Sequence, residues 1–312
     1  PPRAIVRLGW PASCRTDATS TGEHAMRADQ LGANTSCLAN LTLPQAVDTI
    51  RRLGFHGICL LAFDGARHRY GWLAGFWWPE LSMVEREQLR ALVADFQRKA
   101  VHAPFADLPL FTYNTRLAKL AHQQIVESIE AAGYLGASVV IVHANRRPNV
   151  PLDFYWPSMV QTFRELGEHA AAYGLQIAIE TGFPDSVDAF ARLVEEIDHP
   201  SVGANLDIGH LAGYVEPRLV GTPEGARQLN DRLAELCQRL GRRIVHCQVH
   251  DVSLADWLPH RAVGRGIIDV PRALACLDAF GYSGMLELEL EEPDQERALV
   301  ESRDRLLAWL RG

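Results

Sequence analysis

The sequence predicts an α/β chain folded as a (β/α)₈ barrel. Three observations point there: eight short apolar or β-branched runs recur along the chain, helical-period segments lie between them, and the long loops follow strands and precede helices. The runs are AIVRLG (4–9), GICLLAF (57–63), AVHAP (100–104), SVVIVHA (138–144), LQIAIET (175–181), VGANLDI (202–208), RIVHCQVHD (243–251) and MLELELE (285–291). Most are near-continuously apolar, as strands covered on both faces must be. Eight strand–helix units need roughly 250 residues, and 312 residues leave a surplus for loops at 10–42, 64–80, 105–115, 145–157 and 208–222. A doubly wound open sheet is the competing architecture, but no G-x-G-x-x-G follows the first run. No internal repeat, low-complexity tract or linker interrupts the pattern, so residues 1–312 are expected to form one domain.

The helices are read from their period. Leu43, Ala46, Val47, Ile50 and Leu53 share one face, as do Leu117, Leu120, Ala121, Ile125 and Ile129, and again Val187, Phe190, Leu193, Val194 and Ile197. All three faces are expected to pack on the core. Gly54, Gly136, Gly174 and Gly281 stand just before the next strand, where a helix end favours glycine.

Composition bounds the function. Apolar residues make up 47% of the chain, and 38 acidic against 31 basic residues give a net charge of −7, which disfavours a nucleic-acid partner. The six cysteines (Cys14, Cys37, Cys59, Cys237, Cys247, Cys276) form no C-x-x-C pair, and no N-terminal run joins basic residues to an apolar stretch. A reduced, cytoplasmic location is expected. No apolar segment approaches the ~20 residues that span a bilayer, so no membrane partner is expected.

Acids and histidines sit at the C-terminal ends of successive strands, where a barrel gathers its site. His102 ends the third, His143 the fourth, Glu180 the fifth and Asp207 the sixth, with His210 three residues on; Gln248 and His250 end the seventh and Glu289 the eighth. Three carboxylates converging in an apolar mouth would repel one another, and a divalent cation removes that cost. Oxygen donors suit Mn²⁺, Mg²⁺ or Co²⁺, with Zn²⁺ allowed if histidines join.

The segments LPQAVDTIRRLGFHGICL, AVHAPF, VVIVHAN, IAIET, VGANLDIGH, HCQVHD, HRAVGRGIIDV and GYSGMLELELEE together resemble the xylose isomerase-like barrel proteins, over about residues 43–290. That resemblance implies a metal-dependent sugar or sugar phosphate isomerase or epimerase, working by proton abstraction beside a carbonyl through a metal-stabilised enediolate. It implies one divalent ion held by Glu180, Asp207, Gln248 and Glu289, with Glu180 and Glu289 as acid and base. His210 resembles the family's substrate-contacting histidine. His102 and His143 fall at matching strand ends, and His260 in HRAVGRG resembles a histidine that reaches over the site. Most relatives carry histidine where this chain has Gln248, which by itself reads as lost metal affinity; 3-dehydroshikimate dehydratases place glutamine there and bind metal through its oxygen, so the resemblance does not require that loss. His246, in alternation with Gln248, is expected one layer deeper as a structural residue, and His250 at the rim as a substrate contact or a solvated side chain.

A dehydratase of a keto-cyclitol or dehydroshikimate type fits the same site. From another class, endonuclease IV-like repair of abasic DNA shares His102, His143, Glu180, Asp207, His210, His260 and Glu289, but Gln248 and Leu258 stand where that enzyme has metal ligands. The expected partner is a small sugar or polyol. Arg146, Arg147 or Arg265 is available for a phosphate. The aromatic stretch RYGWLAGFWWPE (69–80), with Trp72, Trp77 and Trp78, suits either a pocket roof or the interface of a homo-oligomer.

Overall fold

The computed structural model describes residues 27–311. Its strands are β1 (Leu31–Asn34), β2 (Gly57–Leu61), β3 (Arg67–His68), β4 (Gly71–Trp72), β5 (Arg98–His102), β6 (Val139–His143), β7 (Gln176–Glu180), β8 (Val202–Asp207), β9 (Ile244–Val249) and β10 (Leu286–Leu288). Eight of them close a parallel barrel in the order β1-β10-β9-β8-β7-β6-β5-β2, while β3 and β4 form a small antiparallel hairpin inside the 64–80 loop. Helices α1 (Leu43–Arg52), α2 (Met83–Leu92), α3 (Thr115–Leu135), α4 (Trp156–Ala172), α5 (Val187–Ile197), α6 (Pro223–Leu240), α7 (Val270–Ala279) and α8 (Gln295–Arg311) follow the barrel strands in turn. None of the described helices is long and apolar enough to cross a membrane. Cys37, Cys59, Cys237, Cys247 and Cys276 are free and buried.

Seven strands lie where the sequence places them; the first does not. AIVRLG (4–9) falls outside the described residues, and the barrel is closed instead by Leu31–Asn34, inside the stretch expected to be loop. The reason is packing at the barrel floor. A Cβ on Gly32 or on its neighbour Gly57 would lie 2.3 Å from Met285 Sδ. Met285 fills this end of the barrel together with Cys59, Ala100, Val139, Ile141 and Ala178, so the first strand has to be small and cannot carry the β-branched signature of a strand.

Helix termini follow local chemistry. Thr42 and Gln45 make a reciprocal capping box on α1, Ser82 and Glu85 another on α2, and Gly136 closes α3 in the left-handed conformation at φ 69°. The predicted core faces of α1 and α5 are largely buried. On α3, Ala121, Ile125 and Ile129 are buried, but Leu117 and Leu120 are 45% and 56% exposed. The first two turns of α3 stand beside the barrel mouth, and these two side chains line a cavity there rather than the core.

The H-x-x-x-G-x-G turn is fastened by Asp251. Its carboxylate accepts backbone N–H bonds from Val252 (2.9 Å), Gly264 (2.9 Å), Gly266 (2.8 Å) and Ile268 (3.0 Å). A Cβ on Gly266 would lie 2.1 Å from the Val252 carbonyl oxygen and 2.3 Å from Asp251 Oδ1. Gly266→Ala is therefore expected to cost about 1–3 kcal/mol, the range for overpacking a filled site, read as a lower midpoint in denaturant unfolding. An unchanged midpoint would show that the turn yields freely.

Candidate active site

The strand ends bring Glu180, Asp207, Gln248 and Glu289 to one mouth. Glu180, Asp207 and Gln248 are buried and Glu289 is half-buried; Glu180 and Glu289 line a cavity of about 1110 Å³. A chain of hydrogen bonds joins them. Asn205 Nδ2 donates to Glu180 Oε2 (3.1 Å) and to Gln248 Oε1, and Gln248 Nε2 donates to Glu289 Oε2 (2.6 Å). His210 ties in the fourth member: its backbone N–H donates to Asp207 Oδ1 (2.8 Å) and its ring Nδ1 lies 3.0 Å from Glu180 Oε1.

Three imidazoles surround Glu180. Besides His210, His102 Nε2 lies 3.4 Å from Oε2 and His143 Nε2 3.2 Å from Oε1. Burial alone would raise the Glu180 carboxyl; the His143 charge and the bonds from His102, His143 and His210 overcome it and hold the group well below the usual range. Asp207 behaves likewise: burial opposes ionisation, but His210 and His250 bring it to about 2. Glu289 goes the other way, raised well above normal by enclosure and by the Glu180 charge.

The acceptors around the histidines fix their protons. His260 Nδ1 lies 3.1 Å from the Glu289 carbonyl and donates to it, so His260 Nε2 accepts from His210 Nε2, 3.2 Å away. His210 then donates from both nitrogens. Burial would lower it, but Asp207 and Glu180 raise it to about 10, whereas burial and the neighbouring His250 and His210 lower His260 to about 3. In His102, Nδ1 donates to the Ala103 carbonyl (2.8 Å) while Nε2 faces Glu180; against burial, the Glu180 bond and charge raise it to about 9.

His250 is not at the rim. It is fully buried, with Nε2 at 2.8 and 2.9 Å from the two Asp207 oxygens and Nδ1 accepting the His260 backbone N–H at 2.9 Å. Gly209 permits this: a Cβ there would lie 2.0 Å from His250 Cε1. The chain turns inward after β9 instead of leaving the barrel, which period-two alternation cannot reveal.

The arginines proposed for phosphate face elsewhere. Arg265 pairs with Glu301 on α8, Arg146 pairs with Asp185, and Arg147 lies over the Tyr113 ring; none lines the cavity. Of the aromatic stretch, Trp77 lines the cavity, Trp78 packs on Tyr134, and Trp72 is 59% exposed.

One layer below, the sequence reading found His246 but missed its partner. Glu287 is fully buried, with Oε2 2.7 Å from His246 Nε2 and Oε1 accepting Asn34 Nδ2 at 2.9 Å. Asn34, Asn205 and Glu287 were all overlooked. The signal for two of them was present, since Asn205 is two residues before Asp207 and Glu287 two before Glu289, on the same strand faces. Asn34 lay in the unrecognised first strand.

The sequence profile of the xylose isomerase-like TIM barrel family matches residues 47–311. The chain belongs to that family. Among curated relatives, an uncharacterized protein of Methanocaldococcus jannaschii is 29% identical over 225 residues, 67% of this chain and 69% of that protein. A 3-dehydroshikimate dehydratase of Pseudomonas putida is 29% identical over 167 residues, 50% of this chain but only 24% of that larger protein. Among solved structures, a D-tagatose 3-epimerase-like protein superposes with a TM-score of 0.68 at 23% identity, covering 90% of this chain and 97% of its own. A xylose isomerase-like barrel protein from Mycobacterium smegmatis, in complex with magnesium, gives 0.70 at 17% identity, with 90% and 96% covered.

Within this family member, three donor groups lie close enough to share an ion: Glu180 with Asp207 and His210, His102 with His143 and Glu180, and His210 with His250 and His260. The lower layer reaches the two groups that share Glu180 through Asn205, which donates to that carboxylate. Glu287→Ala is expected to destabilise the protein by about 3 kcal/mol, because His246 and Asn34 lose their buried acceptor. Thermal unfolding checks this; a change below about 1 kcal/mol would mean that water replaces the carboxylate.

Proposed function

We propose that this chain binds one divalent cation through Glu180, Asp207, Gln248 and Glu289 and removes a proton from the carbon beside a carbonyl in a sugar or polyol. The observation that carries this is the hydrogen-bonded chain Glu180–Asn205–Gln248–Glu289, with Asp207 joined to it through His210, whose two ends, Glu180 and Glu289, line the floor of one open cavity. The donor set fits a hard cation: carboxylate oxygens with one amide oxygen. Two further features agree. Asn205 Oδ1 is buried without a partner among the described residues, and Glu289 is pushed up by burial and by the neighbouring carboxylates, as expected where acids are crowded for a positive ion. Mn²⁺, Mg²⁺, Co²⁺ and Zn²⁺ all suit this shell, and the magnesium complex of the mycobacterial protein supports the hard-ion choice.

When bound, the cation supplies Lewis-acid polarisation of the substrate carbonyl and so acidifies the neighbouring C–H. The chain's own groups do the rest. Glu180 and Glu289 stand on strands three apart around the barrel, so they flank a substrate lying across the mouth. One carboxylate takes the proton and the other returns one, to the same carbon from the opposite face in an epimerase or to the adjacent carbon in an isomerase. His210 and His260 hold a fixed relay above the floor, with His210 as donor and His260 as the neutral acceptor; a substrate hydroxyl contacts either ring by displacing one of these bonds. The epimerase-like neighbour supports this reading. A dehydratase is the second reading, supported by the partial likeness to the Pseudomonas putida enzyme; it begins with the same proton abstraction and ends with loss of a β-hydroxyl.

Purified protein given Mn²⁺ or Mg²⁺ is expected to retain about one ion per chain by elemental analysis, and Asp207→Ala is expected to lose it. At a hundredfold excess over Kd, the ion should stabilise the fold by about 2.7 kcal/mol. Several ions per chain would instead favour the DNA-repair class, for which abasic DNA is the control substrate. In heavy water, ketoses and keto-cyclitols are expected to gain solvent deuterium beside the carbonyl only when metal is present. Glu180→Gln or Glu289→Gln should slow that exchange by about 10²–10⁴-fold. Exchange that persists after chelation would contradict the mechanism, and an unsaturated carbonyl product would select the dehydratase.

A further inference from the structure

We infer that the cavity has a second, apolar subsite beside the polar floor, and that the natural substrate is a sugar or polyol carrying an aromatic substituent. The inference rests on the proposed function for the polar head and adds the class of group attached to it. At about 1110 Å³ the cavity exceeds the ~300–1,000 Å³ of clefts that enclose drug-sized ligands, so a bare monosaccharide leaves most of it empty. Away from the floor, its walls are Phe63, Leu73, Trp77, Phe105, Leu117 and Leu120.

Leu117 and Leu120 are the most telling. Their helix buries Ala121, Ile125 and Ile129, yet these two leucines remain 45% and 56% exposed beside the mouth. Two adjacent bare leucines opening on to a candidate active site are apolar surface without a partner among the described residues. An aromatic shelf connects them to the chemistry. Phe105 stacks on His143 (centroids 4.8 Å, planes 19° apart), and Phe63 meets Phe105 edge-on at 5.4 Å. His143 itself touches Glu180. A ring lying on this shelf is continuous with a polar head on the floor, and aromatic pairing adds to simple burial. The charged residues that line the cavity from this side, Asp64, Arg67, Arg69 and Asp107, are all exposed.

The test is a comparison of matched ligands on the full chain loaded with magnesium. Methyl and phenyl β-D-glucopyranoside, and the corresponding galactopyranosides, are titrated by calorimetry and examined by saturation-transfer NMR. The phenyl member of each pair is expected to bind at least tenfold more tightly, with its ring protons most strongly saturated. The double variant Leu117→Glu/Leu120→Glu, at positions whose exposure spares the fold, should bring the phenyl Kd to within about threefold of the methyl value, with the melting temperature as a check on folding. Equal affinities within a pair, a phenyl preference that the double variant keeps, or no phenyl binding at all overturns the proposal. The last is also what a second copy or residues 1–26 seated in the subsite would give. Metal uptake by the same samples reports separately on the polar-head reading, which can fail while the phenyl preference holds.

Discussion

Everything at the mouth of this barrel follows from the cost of enclosing several carboxylates together. Glu180, Asp207 and Glu287 are buried and Glu289 stands beside them, within a shell whose outer side is an apolar core. An ionised carboxylate in such a place needs an opposite charge, several hydrogen bonds, or a metal. The structure distributes the first two with little redundancy. Glu180 takes three imidazoles, Asp207 takes His250 and two backbone N–H groups, Glu287 takes His246 and Asn34, and Glu289 takes the Gln248 amide. Glu289 has the poorest compensation and is the acid pushed upward. A cation placed among these groups would meet the need that the protein leaves least satisfied.

The lower layer explains why the upper one holds its shape. Strand alternation stacks Glu287 beneath Glu289, His246 beneath Gln248 and Asn205 beneath Asp207, so three of the four site residues stand on a polar residue of their own strand, while Glu180 stands on Ala178. β8 and β9 pair Asp207 with Gln248 and Asn205 with His246, layer for layer, while β10 sets Glu287 of the lower layer opposite Gln248 of the upper. Below both layers the interior turns apolar around Met285. The Asp251 carboxylate, by gathering four backbone N–H groups, fixes the turn that carries His260 over the mouth. His260 itself sits at φ 61°, a conformation that costs a non-glycine residue energy and that persists only when its surroundings impose it.

Much of this was legible in the sequence. Period-two alternation with strand-end position located Glu180, Asp207, Gln248 and Glu289, and correctly sent His246 inward. The misses have physical causes. β1 is built from Leu, Gly, Ala and Asn because Met285 crowds it, so no hydrophobic run announces it, and Asn34 was lost with it. Leu117 and Leu120 have the spacing of core residues, but spacing cannot tell a core from a cavity wall. Alternation sets His250 one step outward of Gln248 and so at the rim, whereas Gly209 leaves a slot into which its ring turns. Arg265 looked available because a glycine turn suggests a loop over the site; its partner Glu301 is remote in sequence and invisible to pattern. Glu287 is legible by the same alternation that places His246, two residues before Glu289 on one strand face.

The central claim is that Glu180, Asp207, Gln248 and Glu289 close on a single ion. The most direct test is a crystal structure of the protein grown with manganese, with the ion located by anomalous diffraction. The account predicts one peak per chain, coordinated by carboxylate oxygens of Glu180, Asp207 and Glu289 and by the Gln248 amide oxygen, with Asn205 released from its bond to that oxygen. A well-ordered mouth in which the Asn205–Gln248–Glu289 bonds persist and no peak lies among the four side chains would contradict it.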